Sequence, residues 1–127
     1  DYGKVSLLTD TGIITNHMKE KIKGSKIFYF EANHDLEMLK NGPYDYNLKQ
    51  RILGDFGHIS NVTSGNVLSE VVTDKCKKVY LGHLSETNNE EKLAYDEVFG
   101  ILNKENVIQY TNLEVAKRFD NSSITEV

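Results

Sequence analysis

Apolar and polar residues are arranged along the chain in short blocks of two kinds. In residues 4–9 the apolar and β-branched Val5, Leu7, Leu8 and Thr9 run straight into Asp10, Thr11 and Gly12, which predicts a buried strand that ends where the chain must turn. Lys26–Glu31 contains the unbroken run Ile27-Phe28-Tyr29-Phe30, the pattern of a strand covered on both faces. Lys78–Leu81 and Val107–Tyr110 predict a third and a fourth strand. The intervening blocks have helical spacing. Thr15 or Asn16 caps a short helix over Met18–Lys23 that Gly24 ends, and Asn33 caps one over His34–Lys40 that Asn41-Gly42-Pro43 closes. Tyr46–Leu53 predicts another helix. Ser60 caps one that runs to Val72, with Leu68, Val71 and Val72 on one face and Gly65 as its weak point. Thr87-Asn88-Asn89-Glu90 reads as a capping box before the longest helix, Glu90–Lys104, whose inner stripe is Val98, Ile101 and Leu102. Residues 111–127 are polar and weakly patterned. Strands alternating with helices give an α/β class with parallel pairing, and there is no internal repeat.

Composition narrows the function classes. With 127 residues the chain is expected to be one domain. The single cysteine, Cys76, excludes an internal disulfide and a Cys-x-x-Cys metal motif, and fits a reducing, cytoplasmic setting. No run approaches membrane-spanning length and no signal-peptide pattern is present. A net charge of −4 excludes an overall basic footprint for nucleic acid and leaves room for a local patch. Asn61-Val62-Thr63 matches a glycosylation sequon, a chance match in a cytoplasmic protein. The chain begins at Asp1, a few residues before a strong strand, which suggests that an N-terminal partner segment is missing.

Candidate chemistry lies where the strands end. Asp10, Glu31, His34, Asp35, His58 and His83 all fall at strand ends or in the loops beside them, the pattern of a metal-hydrolase rim. Each has a plainer reading. Asp10 can cap its own turn, His34 can begin a helix, His58 can bond within its glycine-rich loop, and His83 can be a core histidine. His17 falls in a helix's first turn and is assigned no role. Asp10 and His83 are the best metal-ligand pair, and two ligands are fewer than a site needs.

The ordered set Thr9-Asp10-Thr11-Gly12, Phe30-Glu31-Ala32-Asn33-His34-Asp35, Gly57-His58-Ile59-Ser60-Asn61 and Gly82-His83-Leu84-Ser85 resembles metallo-β-lactamase-fold hydrolases of the WalJ/YycJ type, which are related to ribonuclease Z. The resemblance covers roughly residues 3–110. It implies a four-layer αββα sandwich of two similar halves with two divalent ions, zinc or manganese, where the halves meet. It implies that Asp10 is a bridging metal ligand and His83 the last metal-binding histidine. It also implies that His58 stabilises the scissile phosphate or protonates its leaving oxygen, with Glu31 as partner. Asn33 stands where the family's Glu-Ala-Thr motif has threonine. His34 and Asp35 belong to the WalJ-type pattern and are candidate substrate contacts. The family's His-x-His-x-Asp-His signature and the metal histidine after it are absent.

Residues 1–127 are therefore expected to form the C-terminal half of such a domain. The parent is expected to be a two-metal phosphodiesterase acting on nucleic acid, of DNA-exonuclease kind. Lys49 and Arg51, with Lys40, are candidate backbone contacts. The chain by itself is expected to be inactive, to bind metal weakly or not at all, and to self-associate through the sheet face that the N-terminal half would cover. A thioester or lactone hydrolase on the same fold, or a half-domain that only binds a partner, are the alternatives.

Overall fold

The computed structural model describes residues 3–117 and has strands and helices alternating around one parallel sheet. In chain order the elements are β1 (Val5–Leu8), α1 (Asn16–Ile22), β2 (Ile27–Glu31), α2 (Leu36–Asn41), α3 (Tyr46–Leu53), α4 (Asn61–Val71), β3 (Lys78–Gly82), α5 (Glu91–Lys104), a 3-10 turn (Ile108–Tyr110) and β4 (Asn112–Val115). The sheet order is β1-β2-β3-β4, with every neighbouring pair parallel. Parallel strands require a crossover between them, and each is supplied here by helices.

Register divides the sheet into two unlike faces. Ser6, Phe28, Val79 and Leu113 pair in one row, and Leu8, Phe30, Leu81 and Val115 in the next. These rows form one core with Leu68 and Val71 of α4 and Val98 and Leu102 of α5. Phe28 and Phe30 are fully buried, a burial worth about 1.5–3 kcal/mol for each ring. The opposite rows, Val5-Ile27-Lys78-Asn112 and Leu7-Tyr29-Tyr80-Glu114, carry no comparable cover. Val5 is 60% and Leu7 69% exposed. On that face the Lys78 ammonium lies 2.9 Å from the Glu114 carboxylate and 5.4 Å from the Tyr80 ring centroid. The apolar run in β2 predicted cover on both faces, and the described residues supply it on one.

Several local expectations shift. The N-cap of α2 is Asp35, whose carboxylate accepts from Met38 N–H at 3.0 Å, and not Asn33. Asn33 lies in an extended continuation of β2, where its own N–H donates to Ile59 O. The capping box at Thr87–Glu90 does not form. Glu90 caps α5 without a side-chain bond, while Ser85 Oγ accepts from Asn88 N–H and Asn89 Oδ1 from Glu90 N–H. The last strand is Asn112–Val115, and Val107–Tyr110 is a 3-10 turn with its N-cap. Val107 N–H closes back on Leu102 O at 2.8 Å, so the helix end holds this segment out of the sheet. Gly65 sits against Ile101, which gives a packing reason for a glycine inside α4.

Gly12 has a tighter constraint. Its N–H donates to Asp55 O at 3.0 Å, and a Cβ there would collide with the Gly54 carbonyl. Gly100, in α5, has open space at its Cβ. Gly12→Ala is therefore expected to lower unfolding free energy by about 1–3 kcal/mol through overpacking. Gly100→Ala is expected to raise it by about 0.5–1 kcal/mol through helix propensity. Urea titration of both variants checks this, and equal shifts would refute the proposed contact between the two loops.

Candidate metal centre

The carboxyl ends of β1, β2 and β3 deliver three of the four residues of the site, and the loop after α3 delivers the fourth. Glu31 is the last residue of β2 and its side chain is fully buried. Asp10 and His83 follow β1 and β3 closely, both in the left-handed region, with φ of 59° and 56°. Non-glycine residues adopt that conformation rarely, and it aims both side chains back across the sheet end. His58 follows the turn at Gly54–Gly57, fixed by its N–H donating to Ile52 O at 2.9 Å.

All four converge. The Asp10 N–H donates to Glu31 Oε1 at 2.6 Å, and His58 Nδ1 lies 2.6 Å from Glu31 Oε2. His83 Nδ1 is 3.0 Å from the same oxygen. Asp10 Oδ1 is 3.6 Å from His83 Nδ1 and 3.9 Å from His58 Nδ1, and the two rings meet edge to face at 5.1 Å. A buried ionised carboxylate only accepts hydrogen bonds, so the proton in the His58–Glu31 bond belongs on His58 Nδ1.

This donor set fits a divalent metal. Each residue can offer one ligand atom, and these atoms lie within 4.8 Å of one another. Two imidazoles and two carboxylates suit a first-row divalent ion. The geometry also separates the four. Glu31 is saturated with donors and sits behind the histidines, the usual place of an acid that orients a ligand, whereas Asp10 and His83 are more exposed. His58 and His83 line an open cleft of about 1250 Å3 whose other walls include Tyr29, Tyr44, Leu48 and Ile52.

Asn33, expected as a helix cap, instead braces the site. Asn33 Nδ2 donates to His83 O at 2.9 Å, and Ser85 N–H donates to Asn33 O at 2.7 Å, so Asn33 fixes the strained turn that presents His83. Asn89 Nδ2 donates to Ala32 O and to Asn61 Oδ1, both at 2.9 Å, and Asn61 Nδ2 returns a bond to Asn89 Oδ1. These amides stitch the end of β2 to α4 and α5. The sequence offered Asn33 as a helix cap and as the residue that breaks the Glu-Ala-Thr pattern, and neither reading pointed to His83.

The remaining candidates lie elsewhere. His34 is buried, with Nδ1 3.1 Å from Asn33 Oδ1, and does not line the cleft. Burial, then the His58 charge, pushes its pKa down to about 4 against the opposing pull of Asp35. Asp35 is occupied as a helix cap and is bonded to Glu97, which holds its carboxyl below the ordinary range. Glu97 takes the complementary role. Burial, the bond to Asp35 and that residue's charge raise its pKa to about 7. Lys49 donates to Lys40 O at 2.8 Å and lines a separate groove of about 440 Å3 with Tyr46 and Leu53. Arg51 is exposed in the last turn of α3. Neither lines the cleft of His58 and His83.

An exodeoxyribonuclease of Bacillus anthracis named YycJ is 46% identical over 99 residues, 78% of this chain and 38% of that protein. The exodeoxyribonuclease WalJ of Streptococcus pneumoniae is 44% identical over 89 residues, 70% of this chain and 33% of that protein. The chain is homologous to these two proteins over most of its own length. It spans about a third of the length of these curated relatives. No family model matches it, and no solved structure does. No helix among the described residues is long and apolar enough to cross a membrane.

The Asp35–Glu97 and His34 titrations oppose one another. Glu97 is raised from 4.5 to about 7 on folding, so its stabilising proton is fully present below pH 4.5 and lost as pH rises through 7. His34 is lowered from 6.5 to about 4, so its contribution is present above pH 6.5 and lost as pH falls through 4. Glu97→Gln removes the first and leaves the second. The variant is expected to lose stability on acidification from pH 6.5 to 4.5 more steeply than the parent. Urea midpoints measured across that window check this, and parallel profiles would contradict the pairing of Glu97 with Asp35.

Proposed function

We propose that the chain is the C-terminal half of a metallo-β-lactamase-type hydrolase, a two-metal phosphodiesterase that degrades nucleic acid as a DNA exonuclease. The observation that carries this reading is the convergence of Asp10, Glu31, His58 and His83 at the sheet end, in a chain 44–46% identical to proteins named exodeoxyribonuclease. The bare sheet face supports the half-domain part of it. Val5 and Leu7 are exposed there, as expected of the inner layer of a four-layer αββα sandwich whose other half lies in the rest of the protein. That other half would also bring the remaining metal ligands. Cys76, free and buried, is compatible with work in the cytoplasm.

Asp10 and His83 would hold divalent metal, zinc or manganese, and two such ions are proposed for the complete site. A bound ion of this kind supplies hydroxide near neutral pH and positive charge against the phosphate. The residues of this chain do the rest. Glu31 fixes the tautomer and direction of His58 through Nδ1. His58, protonated, donates from Nε2 to the leaving oxygen or stabilises the phosphate charge. Asp10 is held in place by its own N–H on Glu31, so a single buried carboxylate aligns metal ligand and acid together. On this reading the two-metal ligand set is complete only with the other half, and the chain by itself is proposed to be inactive.

In the full-length protein, His83→Ala and Asp10→Ala are each expected to lower bound metal and abolish hydrolysis of DNA. His58→Ala is expected to keep the metal and lower turnover about a hundredfold or more. Metal analysis beside a nuclease assay separates the roles, and loss of metal in His58→Ala would make His58 a ligand instead. The chain alone is expected to form dimers or larger species through the bare face, and Leu7→Lys is expected to shift it toward monomer. Light scattering decides this, and a metal-loaded monomer before mutation would count against the half-domain reading.

A further inference from the structure

Phe56 is the most exposed large apolar residue among those described, at 100%, and it stands two residues before His58. An exposed phenylalanine on a loose loop would be unremarked surface. This loop is pinned. Gly57 N–H donates to Gly54 O at 3.0 Å, His58 N–H to Ile52 O at 2.9 Å, and Asp55 O accepts from Gly12 N–H at 3.0 Å. Gly57 presses against the carbonyls of Arg51 and Ile52, where a Cβ would not fit. The turn therefore bridges the Asp10 loop and His58, and it holds an uncovered aromatic ring at its tip. Two residues of chain put the Phe56 and His58 Cα atoms within about 7 Å. At the stem of the same turn is the exposed Arg51, whose carbonyl accepts from Gly54 N–H at 3.2 Å.

We propose that Phe56 is a stacking platform for a nucleobase of the DNA strand being cleaved, with the Arg51 guanidinium against that strand's phosphate. Every base has a π-face, so an aromatic ring two residues from His58, outside the cleft that His58 lines, can hold a strand without reading its sequence. Arg51, placed outside the cleft that His58 lines, then acquires a role in tracking the backbone. This inference rests on the nuclease reading above.

The test uses the full-length protein and a single-stranded phosphorothioate oligodeoxynucleotide with 2-aminopurine at one end, or an abasic site in its place. Phe56→Ala is expected to weaken binding roughly 5- to 150-fold and to abolish 2-aminopurine quenching, while Phe56→Tyr retains both. The abasic end is expected to weaken wild-type binding by a similar factor and the Phe56→Ala variant hardly at all. Arg51→Ala is expected to reduce the slope of log affinity against log salt by about one. If the wild type binds and Phe56→Ala binds equally well, this proposal fails and the nuclease reading stands. If Phe56→Ala instead lowers the melting temperature with affinity intact, the ring is covered by protein and the proposal fails. If the wild type binds no oligonucleotide, the nuclease reading fails and takes this one with it.

Discussion

The Glu31 carboxylate is the constraint on which the rest of the site depends. An ionised carboxylate with no exposure is costly unless it is paired and hydrogen-bonded. Here the Asp10 N–H and His58 Nδ1 bond to it, and His83 Nδ1 lies within ion-pair reach. Those groups come from three separate loops. Satisfying one charge thus draws together the turns after β1 and β3 and the loop after α3. Removing the carboxylate would leave the two imidazoles without their common anchor, and the left-handed turns at Asp10 and His83 without a reason to persist.

The scaffold makes that convergence possible. All four strands run parallel, so their carboxyl ends lie on one edge, where open α/β sheets place their ligands. β2 is central to this edge. Beyond Glu31 its chain stays extended, with Ala32 N–H on Gly82 O, Asn33 N–H on Ile59 O and Ser85 N–H on Asn33 O. The segment is stitched on both sides, so the loops carrying His58 and His83 are built on a rigid strand. Helices α1, α4 and α5 contribute by burying the opposite end of the energy balance, the core around Phe28, Phe30, Leu68 and Val98.

The structure brings four of the candidate residues together and places the others apart. Asp10, Glu31, His58 and His83, far apart along the chain, offer ligand atoms within 4.8 Å of one another. His34 and Asp35 sit beside Glu31 in sequence, yet the turn into α2 carries them away. One is buried against Asn33 and the other is spent on a helix cap and on Glu97. Adjacency along a chain that leaves a strand says little about side-chain direction, because the next hydrogen bonds decide it.

Hydrophobic periodicity, cap residues and glycines were enough to read the α/β class, three of the four strands, the Tyr46–Leu53 helix and the Ser60 cap, since these are local preferences. Strand-end acids and histidines were legible as candidates for the same reason. Tertiary structure alone decided which face of the sheet is covered, because that depends on which helices return to it. It also moved the fourth strand from Val107–Tyr110 to Asn112–Val115, where the end of α5 determines how far the chain travels before it can pair. The roles of Asn33 and Asn89 lay beyond the sequence as well. An amide has no periodicity, and its hydrogen bonds to residues 50 and 57 positions away exist only once the strands and helices have packed.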